Sequence, residues 1–325
     1  MKNYTVRRYH SDDAALWNAF ISSAKNATFL FHRDFMEYHS DRFQDYSLMV
    51  FDEEKLYAVI PAHVKDNQLF SHQGLTYGGF VFEAKIKLGE VIAITKSVLE
   101  FLHQNQFDRF QLKLIPGIYN SFFSEEIEYA LFLTQAQLIR RDCLSVIELM
   151  KPFSFTRSRS ANVRRGEKNG LTIKEELKFE LFWNEILIPN LDRKRNAKPV
   201  HSVEEIIKLQ QKFPKNIRHF NVYHQDKIVA GTTIFITDTV AHPQYISGNE
   251  DKNELGSLDF LYNHLIMDVF KDKIYFDFGP SHEDDGKKIS EGILFWKESF
   301  DAKTTVQDYY EIETAHYTLL ENVMI

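Results

Sequence analysis

Asp277, Glu283 and Lys297 stand within one short stretch, YFDFGPSHEDDGKKISEGILFWKESF (275–300), and three further polar groups, His242, Gln244 and Tyr245, precede it. The stretch reads as a short buried strand, a glycine turn crowded with charge, and a helix on which Lys297 follows Trp296. A strand ending in Asp277 and Gly279 delivers polar groups to the end of a sheet, where α/β proteins usually keep their sites. A carboxylate buried there is raised in pKa and can serve as a base; Asp277, Glu283, His242 and Glu250 are the candidates. His242 and Gln244 alternate with Ala241 and Pro243, which predicts that they share one face of a strand. The plain alternatives are a solvated acidic loop, a satisfied core histidine and an exposed helical lysine. Asp284 and Asp285 are adjacent and so point apart, which argues against a carboxylate dyad.

A second constellation is cationic. Arg157, Arg159, Arg164, Arg165 and Lys168 fall within twelve residues, and Arg193, Lys194, Arg195 and Lys198 within six. If 157–168 is helical, Arg157, Arg164, Arg165 and Lys168 lie roughly on one side. Guanidinium forks suit phosphate or carboxylate oxygens, to which they donate paired charge-assisted hydrogen bonds. Arg164, Arg165 and Arg195 are therefore candidate contacts for an anionic substrate, against the alternative of a solvated basic helix. A third possibility is the helix start near Ser257, where free N–H groups and the helix dipole favour an anion.

The elements that must carry these residues form two similar sets. YSLMVF (46–51) turns at Asp52-Glu53-Glu54-Lys55 and returns as LYAVIPAHV (56–64). HFNVYH (219–224) turns at Gln225-Asp226-Lys227 and returns as IVAGTTIFIT (228–237). Both read as hairpins. Each is followed by a helix, about 90–105 and about 257–270, the second with Leu258, Leu261, Leu265 and Val269 on one face. Each helix feeds a strand ending in proline and glycine, 109–117 and 273–280. Lys55 and Lys227 are 172 residues apart, and Pro116 and Pro280 are 164 apart. Further helices are predicted at about 13–24 and at 203–213, the latter opened by the capping box Ser202-x-x-Glu205. The expectation is a mixed α/β fold of two tandem units, each a twisted mixed sheet flanked by helices, spanning 1–150 and 151–325. The joint falls at Lys151-Pro152 and the polar stretch after it.

At 325 residues, two domains are the default. A 44% apolar fraction with 28 phenylalanines suits sizeable cores. No apolar run approaches the ~18–20 residues of a membrane span, and the opening MKNYTVRRYHSDDAALW lacks the apolar region of a signal peptide. The single cysteine, Cys143, excludes an internal disulfide framework and predicts a cytoplasmic protein. Scattered histidines show no metal-ligand spacing, so no metal is expected. A net charge of −7 disfavours DNA as a partner. Neither a Gly-x-Ser-x-Gly elbow, a Walker loop nor a dinucleotide glycine motif is present.

The order Asp277-Phe278-Gly279, polar loop, glycine helix and Trp296-Lys297-x-x-Phe300 resembles the C-terminal part of the Fem-type aminoacyl transferases. It is equally similar to their relatives, the double-domain bacterial members of the GNAT N-acetyltransferase superfamily. The run Arg164-Arg165-Gly166-Glu167-Lys168-Asn169-Gly170-Leu171, the turn Tyr77-Gly78-Gly79, Lys198-Pro199-Val200-His201-Ser202 and Ala241-His242-Pro243-Gln244-Tyr245 fit the same family. The resemblance covers most of residues 30–310. It implies acyl transfer, above all acetyl transfer, from acyl-coenzyme A to an amine of a small or cell-envelope precursor substrate. Acyl transfer would then draw on Asp277, Glu283, His242 or Glu250 as base, with Tyr245 or Tyr275 protonating the leaving group, and the resemblance implies that Lys297 contacts phosphate or carbonyl charge. Ser247, Gly248, Gly256 and Ser257 would receive the coenzyme, although the GNAT glycine signature is reduced here to Gly256. Arg164, Arg165, Arg195, His201, Gln244 and Ser281 would contact the substrate. Two alternatives stand beside this: a Fem-like enzyme that takes its acyl group from aminoacyl-tRNA, and a degenerate binding protein for an anionic ligand. In the Fem-type relatives the last segment returns to the first domain, so the final ~20 residues could do so here.

Overall fold

Both hairpins form where the alternation places them. Leu48–Asp52 pairs antiparallel with Lys55–Ile60, and Ile217–His224 with Lys227–Ile236. Both ladders slip by one residue at corresponding points. Val50 faces Ala58 and Phe51 faces Leu56, while Val222 faces Ala230 and Tyr223 faces Ile228. These matching bulges are 172 residues apart (222 − 50 and 230 − 58). In the second turn Gln225 and Asp226 both take positive φ, 49° and 62°, as the twist of a two-residue hairpin requires.

The computed structural model describes residues 2–195 and 197–324. The chain divides into two compact units, one holding the residues up to Asp142 together with those from Val306 onward, the other Cys143–Thr305. The division lies ahead of Lys151-Pro152, because the strand Gln137–Glu148 runs through the point where the two units meet in sequence. In the first unit the hairpin lies between Thr5–Arg8 and Val81–Phe82. Arg109–Lys113 pairs in parallel with Gln68–Phe70 and antiparallel with the strand over Tyr309–Glu313. The helix Leu88–Gln104 covers a core that includes Val50, Ala58, Leu99 and Phe110.

In the second unit the strands run Thr172–Glu175, Ile217–His224, Lys227–Ile236, Val240–Gly248, Tyr275–Pro280, and then the end of Gln137–Glu148. Val240–Gly248 and Tyr275–Pro280 are parallel, and the helix Ser257–His264 connects them. Leu261, Tyr262, Leu265 and Ile266 of that connection meet Phe276 and Phe278 in a core with no more than 3% exposure. Each such side chain contributes roughly 1.5–3 kcal/mol by leaving water. Since Phe276 and Phe278 both face this core, strand geometry turns Asp277 to the opposite side.

Two irregularities shape the sheet end. The parallel strands pair only at Val240–Tyr275 and Ala241–Phe276, at their starts. The ladder between Lys227–Ile236 and Val240–Gly248 skips Gln244, since Thr233 faces Tyr245 and Ile234 faces Pro243. Ala241 and Ile246 therefore both pack on the same core although they are five residues apart. The simple alternation expected for this strand holds only up to Pro243, because a bulge adds one residue and reverses the sides beyond it. Among the described residues, no helix is long and apolar enough to cross a membrane.

Candidate active site

Where the ladder between the parallel strands stops, a side chain takes over. His242 Nδ1 lies 2.9 Å from the main-chain oxygen of Asp277 and 3.3 Å from its Oδ2. A carbonyl only accepts, so Nδ1 carries the hydrogen, and in the neutral ring Nε2 keeps its lone pair. Asp277 is 1% exposed, and its Oδ1 accepts from the N–H of Gly279 at 2.7 Å. Gly279 has φ +70°, and a Cβ there would stand 3.1 Å from His242 Cε1. The glycine is thus required both by the turn and by the ring beside it. Asp277 orients His242 and is bound to the backbone in doing so, which suits a supporting carboxylate better than the base that the sequence suggests.

Lys297 is not an exposed helical lysine. It sits on the helix Glu291–Glu298 at 3% exposure, with Nζ donating to Gly279 O at 2.9 Å and Pro280 O at 2.6 Å. Burial pushes its pKa down to about 8, partly offset by the Asp277 carboxylate. His242, Asp277, Gly279 and Lys297 therefore meet at one strand end. Ser281, 6% exposed, follows directly, and its buried Oγ has no hydrogen-bond partner among the described residues. Glu283 is placed elsewhere: it is exposed, on a small hairpin opposite Lys288. Asp284 and Asp285 form the tip of that hairpin at positive φ.

Tyr245 and His201 form a separate pair. The Tyr245 hydroxyl accepts from the His201 main-chain N–H at 3.0 Å and lies 2.5 Å from His201 Nδ1. Its ring packs on Trp183, whose indole N–H donates to His201 O at 3.1 Å. Gln244, at the bulge, has a buried Oε1 with no hydrogen-bond partner among the described residues.

The expected coenzyme cradle is filled by the protein itself. Asn190 donates to Ser247 Oγ at 2.8 Å and to Gly248 O at 2.6 Å. Arg193, hydrogen-bonded to Asn190 Oδ1, forms an ion pair with Glu250. At Gly256, φ +71°, a Cβ would stand 2.5 Å from Asn162 O, so this glycine admits a neighbouring helix and not a ligand. Asp259 places a negative charge in the first turn of the connecting helix. Ser257 Oγ is buried and has no partner among the described residues, but the remaining groups do not fit a pyrophosphate at this turn. Among the described residues no group of three His, Cys, Asp or Glu side chains could hold a metal ion.

The basic run 157–168 is a helix, capped by Thr156 Oγ1 on Arg159 N–H. Arg157, Arg164, Arg165 and Lys168 are exposed, and Arg165 donates to Asn253 O at 2.9 Å. The side chain of Arg195 lies outside the described residues. Arg159, set apart from that exposed side, is 6% exposed and pairs with Asp259. Sequence reasoning counted Arg159 only as one more charge and passed over Asp259, Asn190 and Trp183. Two cues were available for the pair: Val163 and Gly166 share the inward side of the helix with Arg159, and Asp259 lies on an otherwise apolar stretch.

No family model and no curated protein matches the chain. Solved structures do. FemX aligns over 98% of this chain and 99% of its own at 10% identity, with a TM-score of 0.67. L-PGS from Bacillus licheniformis aligns over 98% and 96% at 11% identity, TM-score 0.62. A tandem GNAT protein from the clavulanic acid biosynthesis pathway aligns over 96% and 99% at 9% identity, TM-score 0.50. The fold is that of the double-domain GNAT and Fem-type proteins. At these identities the likeness is one of fold.

Proposed function

We propose that the chain is an acyltransferase that moves an activated acyl group onto an amine, with its reaction centre where the parallel strands Val240–Gly248 and Tyr275–Pro280 stop pairing, at His242 and Asp277. The observation that carries this reading is the buried Lys297 beside a histidine whose Nδ1 is committed to Asp277. An acceptor ammonium gives a proton to His242 Nε2, and the freed amine attacks the acyl carbonyl. Of the three hydrogens on Lys297 Nζ, two are held by main-chain oxygens and the third is left for the developing oxyanion. Collapse of the tetrahedral intermediate breaks the bond to the carrier, which takes the proton from the imidazolium, and the new amide nitrogen gives up its remaining extra proton to the freed His242 Nε2 and thence to solvent. The Asp277 carboxylate stabilises that imidazolium. Gln244 and Tyr245 of the same strand, His201 beside Tyr245 and Ser281 just past the neighbouring strand are the candidate substrate contacts, and Arg164 and Arg165 offer exposed positive charge to an anionic part of the substrate.

The donor has two readings. Acyl-coenzyme A is supported by the GNAT neighbours, but the turn at Ser247–Ser257 is filled by Asn190 and Asn162. That filling, with the likeness to FemX, favours the Fem-like alternative of an aminoacyl ester on tRNA, with a cell-envelope precursor amine as acceptor and a cytoplasmic site of action. A thermal-shift screen against acyl-coenzyme A species, aminoacyl-tRNA and nucleotide sugars decides between them. A ligand at 100 times its Kd stabilises by roughly 2.7 kcal/mol. Product formation from acyl-coenzyme A alone would reject the tRNA reading. Binding of an anion with no transfer from either donor would leave a binding protein and reject the enzyme.

A further inference from the structure

The residues on either side of Lys297 are tied to one buried guanidinium, that of Arg159. Arg159 Nε donates to Ser299 Oγ at 2.8 Å, and its Nη1 pairs with Asp259 Oδ1. The same Asp259 oxygen accepts the indole N–H of Trp296 at 2.8 Å. Ser299 Oγ in turn donates to Trp296 O at 2.6 Å. The guanidinium lies over the Phe300 ring at 4.9 Å and the Trp296 ring at 5.8 Å. One step earlier, the main-chain N–H of Thr156 donates to Ser299 O at 3.0 Å. The residues immediately before and two after Lys297 are thus tied to the helix Arg157–Lys168 and, through Asp259, to the connecting helix Ser257–His264.

A buried ion pair is a costly way to join helices, since apolar side chains of similar volume often do so equally well or better. What the charged pair supplies instead is direction: fixed donors and acceptors at 296 and 299 set the rotation of the helix that carries Lys297. We propose that Arg159, acting with Asp259, is a positioning residue that holds Lys297 Nζ against Gly279 O and Pro280 O. The role in catalysis rests on the acyltransferase reading; the positional role does not.

The test replaces both charges together, Arg159→Met with Asp259→Leu, so that neither is left buried alone. Lys297 is then followed by the 13Cε resonance of labelled lysine between pH 6 and 11, assigned with Lys297→Arg. In the parent chain the resonance should titrate near the lowered value of about 8. In the double variant it should move toward the ordinary lysine value of 10.5, because the released helix turns Nζ out of its buried position into water, the burial being what lowers it. Asp277 is the charged group facing Lys297 and stays in place in both proteins. If the double variant does not fold, Ser299→Ala and Trp296→Phe each remove one tie without burying a lone charge, and each should move the midpoint in the same direction by less. A folded variant whose Lys297 titrates as in the parent chain overturns the proposal. This readout needs no substrate. Should the chain prove not to be an acyltransferase, the shift would still be observed; should the latch be wrong, activity could persist without it. Where activity is found, kcat should fall at least tenfold with KM little changed, and Arg159→Lys should recover part of it.

Discussion

His242 Nδ1 bridges to Asp277 O across the gap where two parallel strands cease to pair. The side chain thereby takes the place of a ladder bond. It fixes the ring at the sheet end and commits one nitrogen to donation, leaving the other to accept a proton.

His242→Gln should keep the bridge through its amide but lose the base. A general base contributes ~10²–10⁴ in rate, so kcat should fall by about that much while the thermal midpoint changes little. Asp277→Asn should lower kcat as well, by removing the charge that stabilises the imidazolium. Steady-state rates with a saturating acceptor check both, and an undiminished His242→Gln would remove His242 from the mechanism.

Gly279→Ala should cost about 1–2 kcal/mol, because a Cβ at φ +70° is strained. It should also slow the reaction by pressing on His242 Cε1. Gly117→Ala is the matched control, with nothing within 4 Å of the added carbon. Denaturant midpoints and rates of the two variants, compared side by side, separate the local effect from a general one.

The rate should also report the charge of Lys297. Its pKa is lowered to about 8 by burial, so the cation that holds the oxyanion is lost as pH rises through that value. Activity should decline above about pH 8, and in Lys297→Arg the decline should disappear. A decline that persists unchanged in Lys297→Arg belongs to another group.

Acid should weaken the fold before most carboxylates titrate, the three buried histidines outweighing Glu128, whose carboxyl burial raises to about 7. Burial pushes His63 and His219 down to about 4 and His72 lower than its ordinary value. In the first unit His72 stacks on His39 at 4.9 Å and meets His63 edge-on at 5.5 Å, with the Arg33 cation nearby adding to the depression at His72. The unfolded chain then binds more protons than the folded one between pH 6.5 and about 4. Stability is full above pH 6.5 and falls as pH drops through that window. Urea midpoints at pH 7.5 and 4.5 should differ clearly, and His63→Phe should shrink the difference.

The fold could be read from the chain because its signals were local. Hairpin turns, the Ser202–Glu205 capping box and the apolar face of 257–270 depend on neighbours in sequence, and each formed. Asp277 was legible as a polar group near a strand end, and His242 as one of the polar groups alternating along its strand, for the same reason. What stayed hidden depends on long-range contacts. The group that bonds to the expected coenzyme turn, Asn190, lies over fifty residues before Ser247. The latch on Lys297 comes from Arg159, which looks like its exposed neighbours until Asp259 is seen 100 residues on. The bulge at Gln244 leaves no mark in the residue pattern, since exposure alternates through it.

Lys297 is the group on which the reaction centre depends, and the rate of acyl transfer by Lys297→Ala tests this most directly, once the donor screen has supplied a substrate. Loss of one such charge contact should cost ~2.7–4 kcal/mol of barrier, or roughly 10²–10³ in rate, with KM for the donor nearly unchanged and the protein still folded. A folded Lys297→Ala that transfers acyl groups at the parent rate would contradict the placement of the reaction centre at this strand end.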